Sequence, residues 1–425
     1  MILGFIAVFA VLLLIGLPIA YVLGVSTVFY IFQTDNLELL LSIPQRMTGG
    51  IQNYGLLAIP LFVLAGELMN KGGITTRLIR FAKDMVGHFR GGLAYVNVVT
   101  NMFLASIIGS ANAQTAMMSR IMVPEMEKEG YNKEFSTALT SASSLLGPII
   151  PPSLLFIIYG VTAEVSIGNM FIGGIIPGIL LTIGFVILIS FMAVKENFPK
   201  HNRVKVQELI KAFFVALPSL SIPFIIIFGI LSGMFTPTES AAAASFLAMV
   251  IGGGLYKELK IKDFPKIFLN TAMYTSIVTF IIAMATIFGW VLSFEQVPQQ
   301  LSEFMVSLTD NVYVFLFICI ILFLLVGMVI EGMAAVIILV PILLPVAVNY
   351  GIDPIQFGII MSINLAIGLI TPPVGTVLFI ASSITKVKFE TLAKYVIPFV
   401  LVALIALLII AYVPAVTTWL PSLWL

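Results

Sequence analysis

Basic residues come in four bursts along this chain, and between the bursts the sequence runs apolar for membrane-crossing lengths. Segments 71–90, 195–211, 257–266 and 386–394 hold 17 of the 21 Lys and Arg residues. A spanning helix needs about 20 apolar residues. Candidate spans are 2–32, 54–70, 134–163, 169–193, 212–235, 238–256, 269–294, 354–385 and 395–413. Charged residues make up only 10% of the chain, against roughly 25% in an average globular protein. So few charges cannot cover a soluble surface of this size, and lipid must cover much of it. The chain therefore reads as an all-α polytopic membrane protein, and enzymes on soluble scaffolds are excluded. A net charge of +1 gives no reason to expect nucleic acid as a partner.

By the positive-inside rule the four basic segments are cytoplasmic. Segment 295–310 carries Glu295, Glu303 and Asp310 without Lys or Arg, as an outside loop does. The stretch 2–32 has no basic start, and the first positive residue is Arg46. It reads as one retained span rather than a cleaved signal. Counting crossings places the N-terminus in the cytoplasm and the C-terminus outside.

Two more apolar stretches, 92–127 and 311–349, are interrupted at their centres by small and polar residues. Segment 71–90 is inside, and Lys128 and Lys133 keep the chain inside after 92–127. Segment 295–310 is outside, and only one long span, 354–385, separates 311–349 from the inside segment 386–394. Each stretch must enter and leave on one face, as a re-entrant hairpin. Their tips must be buried in protein or line a cavity, because lipid cannot satisfy irregular backbone.

After each hairpin comes a span broken by a proline pair, Gly147-Pro148-Ile149-Ile150-Pro151-Pro152-Ser153 and Gly368-Leu369-Ile370-Thr371-Pro372-Pro373-Val374-Gly375. The order hairpin, broken helix, helix thus occurs twice with opposite topology. Interrupted apolar segments at matching places in two halves point to a transporter's binding site. A proline pair removes amide donors and breaks the helix. The break bares carbonyls that suit Na⁺ and helix N-termini that suit a carboxylate. The tips supply the facing wall: Ser106 to Thr115, with Ser110, Asn112 and Gln114, in the first repeat and Gly327 to Gly332, with Glu331, in the second. Two or more cation sites follow, each between a tip and a break. Ser106, Ser110, Ser153, Glu331 and Gly375 are the candidates for touching substrate. Glycines and serines in membrane helices also serve close packing, and Glu331 at a tip could pair with water alone.

Thr236-Pro237-Thr238-Glu239 reads as a helix start with a capping box, a structural motif. Arg120 and Glu164 read as interfacial. His88 and His201 lie in charged connecting segments without a second ligand nearby, so a zinc site is not expected. The single Cys319 allows no internal disulfide.

In combination, AIPLFVLAGELMNKGGI at 58–74, GGLAYVNV at 91–98, GPIIPPS at 147–153, FTPTESAAAA at 235–244 and GLITPPVG at 368–375 resemble the large membrane subunit of tripartite ATP-independent periplasmic (TRAP) transporters. The resemblance implies a sodium-driven importer of carboxylate-bearing solutes (sialic acid, another sugar acid or a C4-dicarboxylate) in the bacterial inner membrane, with no organic cofactor. It implies two partners, a small four-helix membrane subunit and a periplasmic substrate-binding protein. Carried over by position, it implies Na⁺ ligands at Gly109, Asn112, Gly147, Ile150 and Pro152 for one site, and at Gly327, Gly368 and Thr371 for a second. It also implies an elevator-type fold: scaffold helices and a cytoplasmic arm in 1–90, a first transport repeat in 91–194, scaffold in 195–294, and an outside arm, second repeat and C-terminal helix in 295–425.

Besides a channel, which would not need broken helices in both repeats, two alternatives stay open at this point. One is a stand-alone sodium/organic-acid symporter without a binding protein. The other is an intramembrane enzyme, for which no H-E-x-x-H or other catalytic constellation is present. No Walker A motif occurs, so the chain itself is not expected to hydrolyse ATP.

Overall fold

The computed structural model describes residues 2–34, 37–200, 203 and 205–423, apart from the side chain of Leu3. His201 lies outside the described residues. Every regular element among them is helical.

The N-terminal 2–32 stretch is not one span. It forms α1 (Ile2–Leu14) and α2 (Ile19–Gln33), parted by Gly16 at φ 84° and Pro18. A straight helix would hold Phe5 and Tyr30 about 37 Å apart; instead their ring centroids lie 5.8 Å apart. A Cβ on Gly4 would fall 2.8 Å from the Gln33 side chain. The two helices therefore fold back on each other. The crossing count that put the N-terminus in the cytoplasm loses its basis with them. The physical reason lies in Gly16-Leu17-Pro18: glycine supplies the left-handed residue and proline removes the next amide donor.

The chain continues through α3 (Ser42–Ile51), α4 (Ala58–Lys71) and α5 (Ile74–Val86). Residues 37–51 and 54–71 form a pair bent by 59°, longer than the 54–70 span expected. Next come α6 (Gly92–Ile108), α7 (Ala111–Lys128), α8 (Lys133–Ser143), α9 (Leu154–Thr162) and α10 (Ile167–Lys195). Then follow α11 (Val206–Leu231), α12 (Pro237–Met249) and α13 (Phe264–Phe294). The last third holds α14 (Val297–Leu308), α15 (Val312–Val329), α16 (Gly332–Asn349), α17 (Pro354–Gly368), α18 (Thr376–Thr385), α19 (Phe389–Tyr412) and α20 (Ala415–Ser422). Neither α14 nor α20 was expected. The Thr236 capping box is formed: its hydroxyl accepts the Glu239 amide at 3.3 Å, and the Glu239 carboxylate accepts the Thr236 amide at 2.8 Å.

Side-chain contacts sort the ends of these helices onto two faces. Arg77 pairs with Glu258 at 2.7 Å, Lys83 with Glu129 at 3.7 Å, and Arg90 donates to Asn197 at 2.5 Å. These ties gather three basic segments and both ends of the α6–α7 pair on one face. At the opposite ends, Tyr30 donates to Glu295, Tyr159 to the Pro354 carbonyl at 2.6 Å and Tyr350 to the Thr309 carbonyl at 2.7 Å. Both ends of the α15–α16 pair lie there. Thus 92–127 and 311–349 are hairpins that enter from opposite faces, and α8–α9 and α17–α18 are the two broken helices.

The repeats keep one register throughout. Ala111 and Gly332 begin the second hairpin arms 221 residues apart, Lys133 and Pro354 begin the broken helices 221 apart, and the cis bonds Pro151–Pro152 and Pro372–Pro373 show the same spacing. Each hairpin's first arm packs on its own broken helix, α6 on α8 and α15 on α17. Each second arm packs on the far half of the other repeat's broken helix, α7 on α18 and α16 on α9.

Candidate functional site

Hairpin 1 ends at Gly109, which adopts φ +62°, a conformation glycine takes without a Cβ penalty. Its missing Cβ would meet the Pro152 carbonyl oxygen and Leu154 at 3.4 Å. A Cβ on Gly147 would lie 2.5 Å from Gln114 Oε1 and 3.4 Å from the Ser110 carbonyl carbon. Gly109, Gly147, Pro152 and Ser110 therefore converge, with tip backbone pressed against the break. The Ile150 side chain points away from them, onto Gly178 of α10.

The second junction repeats this contact in tighter form. A Cβ on Gly368 would lie 2.4 Å from the Gly327 carbonyl carbon and 2.8 Å from the Met328 amide. A Cβ on Gly327 would lie 2.7 Å from the Leu365 carbonyl oxygen. The Gly375 amide closes the loop by donating to the Met328 carbonyl at 3.3 Å. The Thr371 hydroxyl donates to the Ile367 carbonyl of its own helix at 2.7 Å, and Ser153 donates to the Pro148 carbonyl at 2.5 Å while accepting the Phe156 amide. Asn112 faces the other repeat, where Thr376 donates to its side-chain oxygen at 3.4 Å. Ser106 is buried in the last two turns of α6.

The tips differ in how their second arms begin. Glu331 caps α16, its carboxylate accepting the Met333 and Ala334 amides at 3.1 and 3.4 Å. Ser110 stands 221 residues earlier, at the start of α7, and its side chain makes no capping bond. The first amides of α7 thus keep unspent donors and the positive end of the helix dipole.

Behind the first tip runs a buried polar chain. The Gln114 amide donates to Asn101 Oδ1 and to the Asn101 carbonyl, both at 2.7 Å; Asn101 donates to Asn97 Oδ1 at 2.7 Å, and Asn97 to Thr140 at 2.7 Å. All four side chains are fully buried. Gln114 Oε1, facing Gly147, has no hydrogen-bond partner, an orphan acceptor of the kind that marks a missing ligand or a cost. The corresponding residues of the second repeat are Ala335, Leu322, Ile318 and Met361. Sequence reasoning placed Gln114 at the tip but missed Asn97 and Asn101. Their spacing of four in an apolar helix, which puts both on one face, was the available signal.

Two cavities adjoin the tips. One, of about 20 Å³, holds Asn112, Glu331, Tyr274 and Pro148 on its walls, room for a single water or bare ion. The other, of about 390 Å³, lies between the first tip (Ile107, Ile108, Ser110, Ala113) and helices α4 and α13. Its polar lining includes Glu67, Asn70, Asn270 and Tyr274, and Asn270 donates to Glu67 at 3.2 Å. Neither cavity is lined by Lys or Arg.

Comparison with known proteins agrees with this arrangement. A chain 37% identical over 97% of both sequences is the sialic acid TRAP transporter large permease protein SiaM of Vibrio cholerae. Another, 38% identical over 88% of this chain and 87% of its own length, is the C4-dicarboxylate TRAP transporter large permease protein DctM of Pseudomonas aeruginosa. Among solved structures, the YdaH transporter of Alcanivorax borkumensis shares the fold, with a TM-score of 0.64, 14% identity, and coverage of 92% of this chain and 90% of that one. The profile of the family described as the tripartite ATP-independent periplasmic transporter, DctM component, matches residues 6–416. With both hairpins, both broken helices and nearly its whole length accounted for, this chain belongs to that family, and it is a multi-pass membrane transport component rather than an enzyme.

Proposed function

We propose that this chain is the translocating subunit of a sodium-driven importer of a carboxylate-bearing solute, working by an elevator movement. The observation that carries this reading is the pair of glycine junctions: Gly109 lies against the Pro152 carbonyl and Gly147 against Gln114 Oε1 and the Ser110 backbone, while Gly327 and Gly368 meet backbone to backbone. Such junctions expose main-chain oxygens that suit Na⁺. Asn112, Pro152, Thr371 and the orphan Gln114 Oε1 lie beside them; Ile150 contributes through its backbone. The uncapped start of α7 at Ser110, bordering the larger cavity, is the place for the solute's carboxylate. Hairpins and broken helices then move as one body against α4, α12 and α13. A separate small membrane subunit and a periplasmic substrate-binding protein complete the assembly.

The cavity charges narrow the solute. Glu67 and Glu331 are acidic and no basic side chain faces them, so bound Na⁺ supplies the positive charge. A second carboxylate would lack a partner, whereas hydroxyl groups can bond to Glu67, Asn70 and Asn270. A monocarboxylate sugar acid fits this lining better than a C4-dicarboxylate.

The test is uptake in proteoliposomes that hold the chain, the small subunit and the loaded binding protein. Inward Na⁺ gradients should drive accumulation, and replacing Na⁺ by K⁺ should stop it. Equal uptake in K⁺ would refute the coupling. Sialic acid should compete while excess succinate should not; the reverse would refute the sugar-acid reading.

Orientation has its own check. The basic face is read as cytoplasmic, and the fold-back of α1 on α2 supports a start of the chain on the outside face, the face where its last helix ends. Cys319 is buried, which keeps background labelling low. A cysteine in place of Glu303 should react with an impermeant maleimide in intact cells, and one in place of Lys195 only after permeabilisation. The opposite pattern would invert the topology.

A further inference from the structure

On the basic face, a cavity of about 640 Å³ opens between α5 and α11. Its frame is rigidly tied. Arg77 is held by Glu258 at 2.7 Å, by the Gly73 carbonyl at 2.8 Å and by the Tyr256 ring, 3.7 Å below its guanidinium. Tyr256 is bonded in turn to Ser219 at 2.9 Å and to the Val215 carbonyl at 3.1 Å. Phe81 packs on Phe213 with centroids 5.9 Å apart.

Four charges on the lining take no part in that frame: Arg80 and Asp84 on α5, Lys211 and Glu208 on α11. Among the described residues none of the four forms an ion pair. Their order is informative. The contacts run antiparallel, Arg77 reaching Val215 and Ser219 through Tyr256 while Phe81 meets Phe213. Arg80 and Asp84 are one turn apart, as are Lys211 and Glu208. Antiparallel packing therefore sets the basic pair on the side toward the spanning part of α11 and the acidic pair on the side toward its charged start. The exposed rings of Phe213 and Phe214 extend the same surface toward the apolar part of α11.

A ligand that matches must carry an anion nearer the apolar side and a cation farther out, with an apolar tail. We infer that this cavity binds a zwitterionic phospholipid of the inner leaflet. Its phosphate sits at Arg80 and Lys211, its ammonium at Asp84 and Glu208, and its chains lie along Phe213 and Phe214. An anionic headgroup satisfies the basic pair and leaves two carboxylates facing it. A free phosphate ester such as phosphoethanolamine shares the headgroup chemistry and lacks the apolar contact.

The experiment is native mass spectrometry of the purified full chain, exchanged into mixed micelles of phosphatidylethanolamine and phosphatidylglycerol. Wild type should retain phosphatidylethanolamine over phosphatidylglycerol by about tenfold, the scale of one or two charge-assisted bonds. Asp84→Asn with Glu208→Gln, which is isosteric, should remove that preference or reverse it toward phosphatidylglycerol. Arg80→Gln with Lys211→Gln should lose both lipids from the site, with a thermal-unfolding midpoint confirming that the variant is folded. Phosphoethanolamine and inorganic phosphate at millimolar concentration should not displace the lipid; displacement would make the ligand a soluble phosphate and overturn the lipid assignment. A retained-lipid ratio unchanged in the Asp84/Glu208 variant would overturn it equally.

Discussion

Replacing Gly368 with valine abolishes uptake while the protein still reaches the membrane: that is the expected result at the tighter of the two junctions. The Cβ would fall 2.4 Å from the Gly327 carbonyl carbon and 2.6 Å from its Cα, both main-chain atoms of the hairpin. No side-chain rotation relieves such an overlap, so hairpin 2 must shift by several tenths of an ångström or more. Overpacking of this kind costs about 1–3 kcal/mol in a tight interior. Its functional effect is larger, because a misplacement of about 1 Å at a geometry-dependent site is worth about 100-fold in rate. Initial uptake rate, normalised to membrane-inserted protein, is the measurement. Gly49→Ala serves as control, since nothing lies within 4 Å of the Cβ it would add. Wild-type uptake by Gly368→Val would remove the junction from the mechanism.

Asn101→Leu is the second large effect, and it falls on stability as well as transport. Leucine stands at the equivalent position 322 of the second repeat, so the helix itself accepts it. The loss is in hydrogen bonding: Asn97 Oδ1 gives up its donor while fully buried, and the Gln114 amide keeps only the Asn101 main-chain carbonyl. A buried group left unpaired costs about 1–3 kcal/mol, which places the variant about 1–3 kcal/mol below wild type. The tip, tied to α6 by one bond of Gln114 instead of two, should also hold Na⁺ less tightly, raising the half-saturating Na⁺ concentration for uptake. Adding Gln114→Ala should then cost much less than it does alone, because the two residues share one network. Full additivity of the two losses would show that the chain of amides does not act as a unit.

Much of this architecture is legible in the sequence because charge placement and proline pairs act through simple rules. The basic bursts fixed which segments share a face, and that alone required two stretches to be hairpins. The proline pairs marked both breaks, and Thr236 with Glu239 announced a helix start. The N-terminal fold-back was not legible, since Gly16 and Pro18 inside an apolar run also suit a kinked single span. Nor was the amide chain, whose members lie on three helices brought together only by the tertiary fold. The larger cavity escaped for the same reason: Glu67 and Asn270 are 203 positions apart and meet only because α4 packs on α13.

The common register of the repeats gives the chain an internal reference, in which each position of one hairpin has a counterpart of known identity in the other. At the start of the second arm that reference reads Glu331 against Ser110. The second hairpin wears a carboxylate of its own on its helix start, permanently attached and already bonded. The first hairpin presents the same backbone amides without a side-chain cap. On the binding mode proposed above, the solute's carboxylate would give the first half what the second half was built with, and loading would bring the protein closer to its own symmetry.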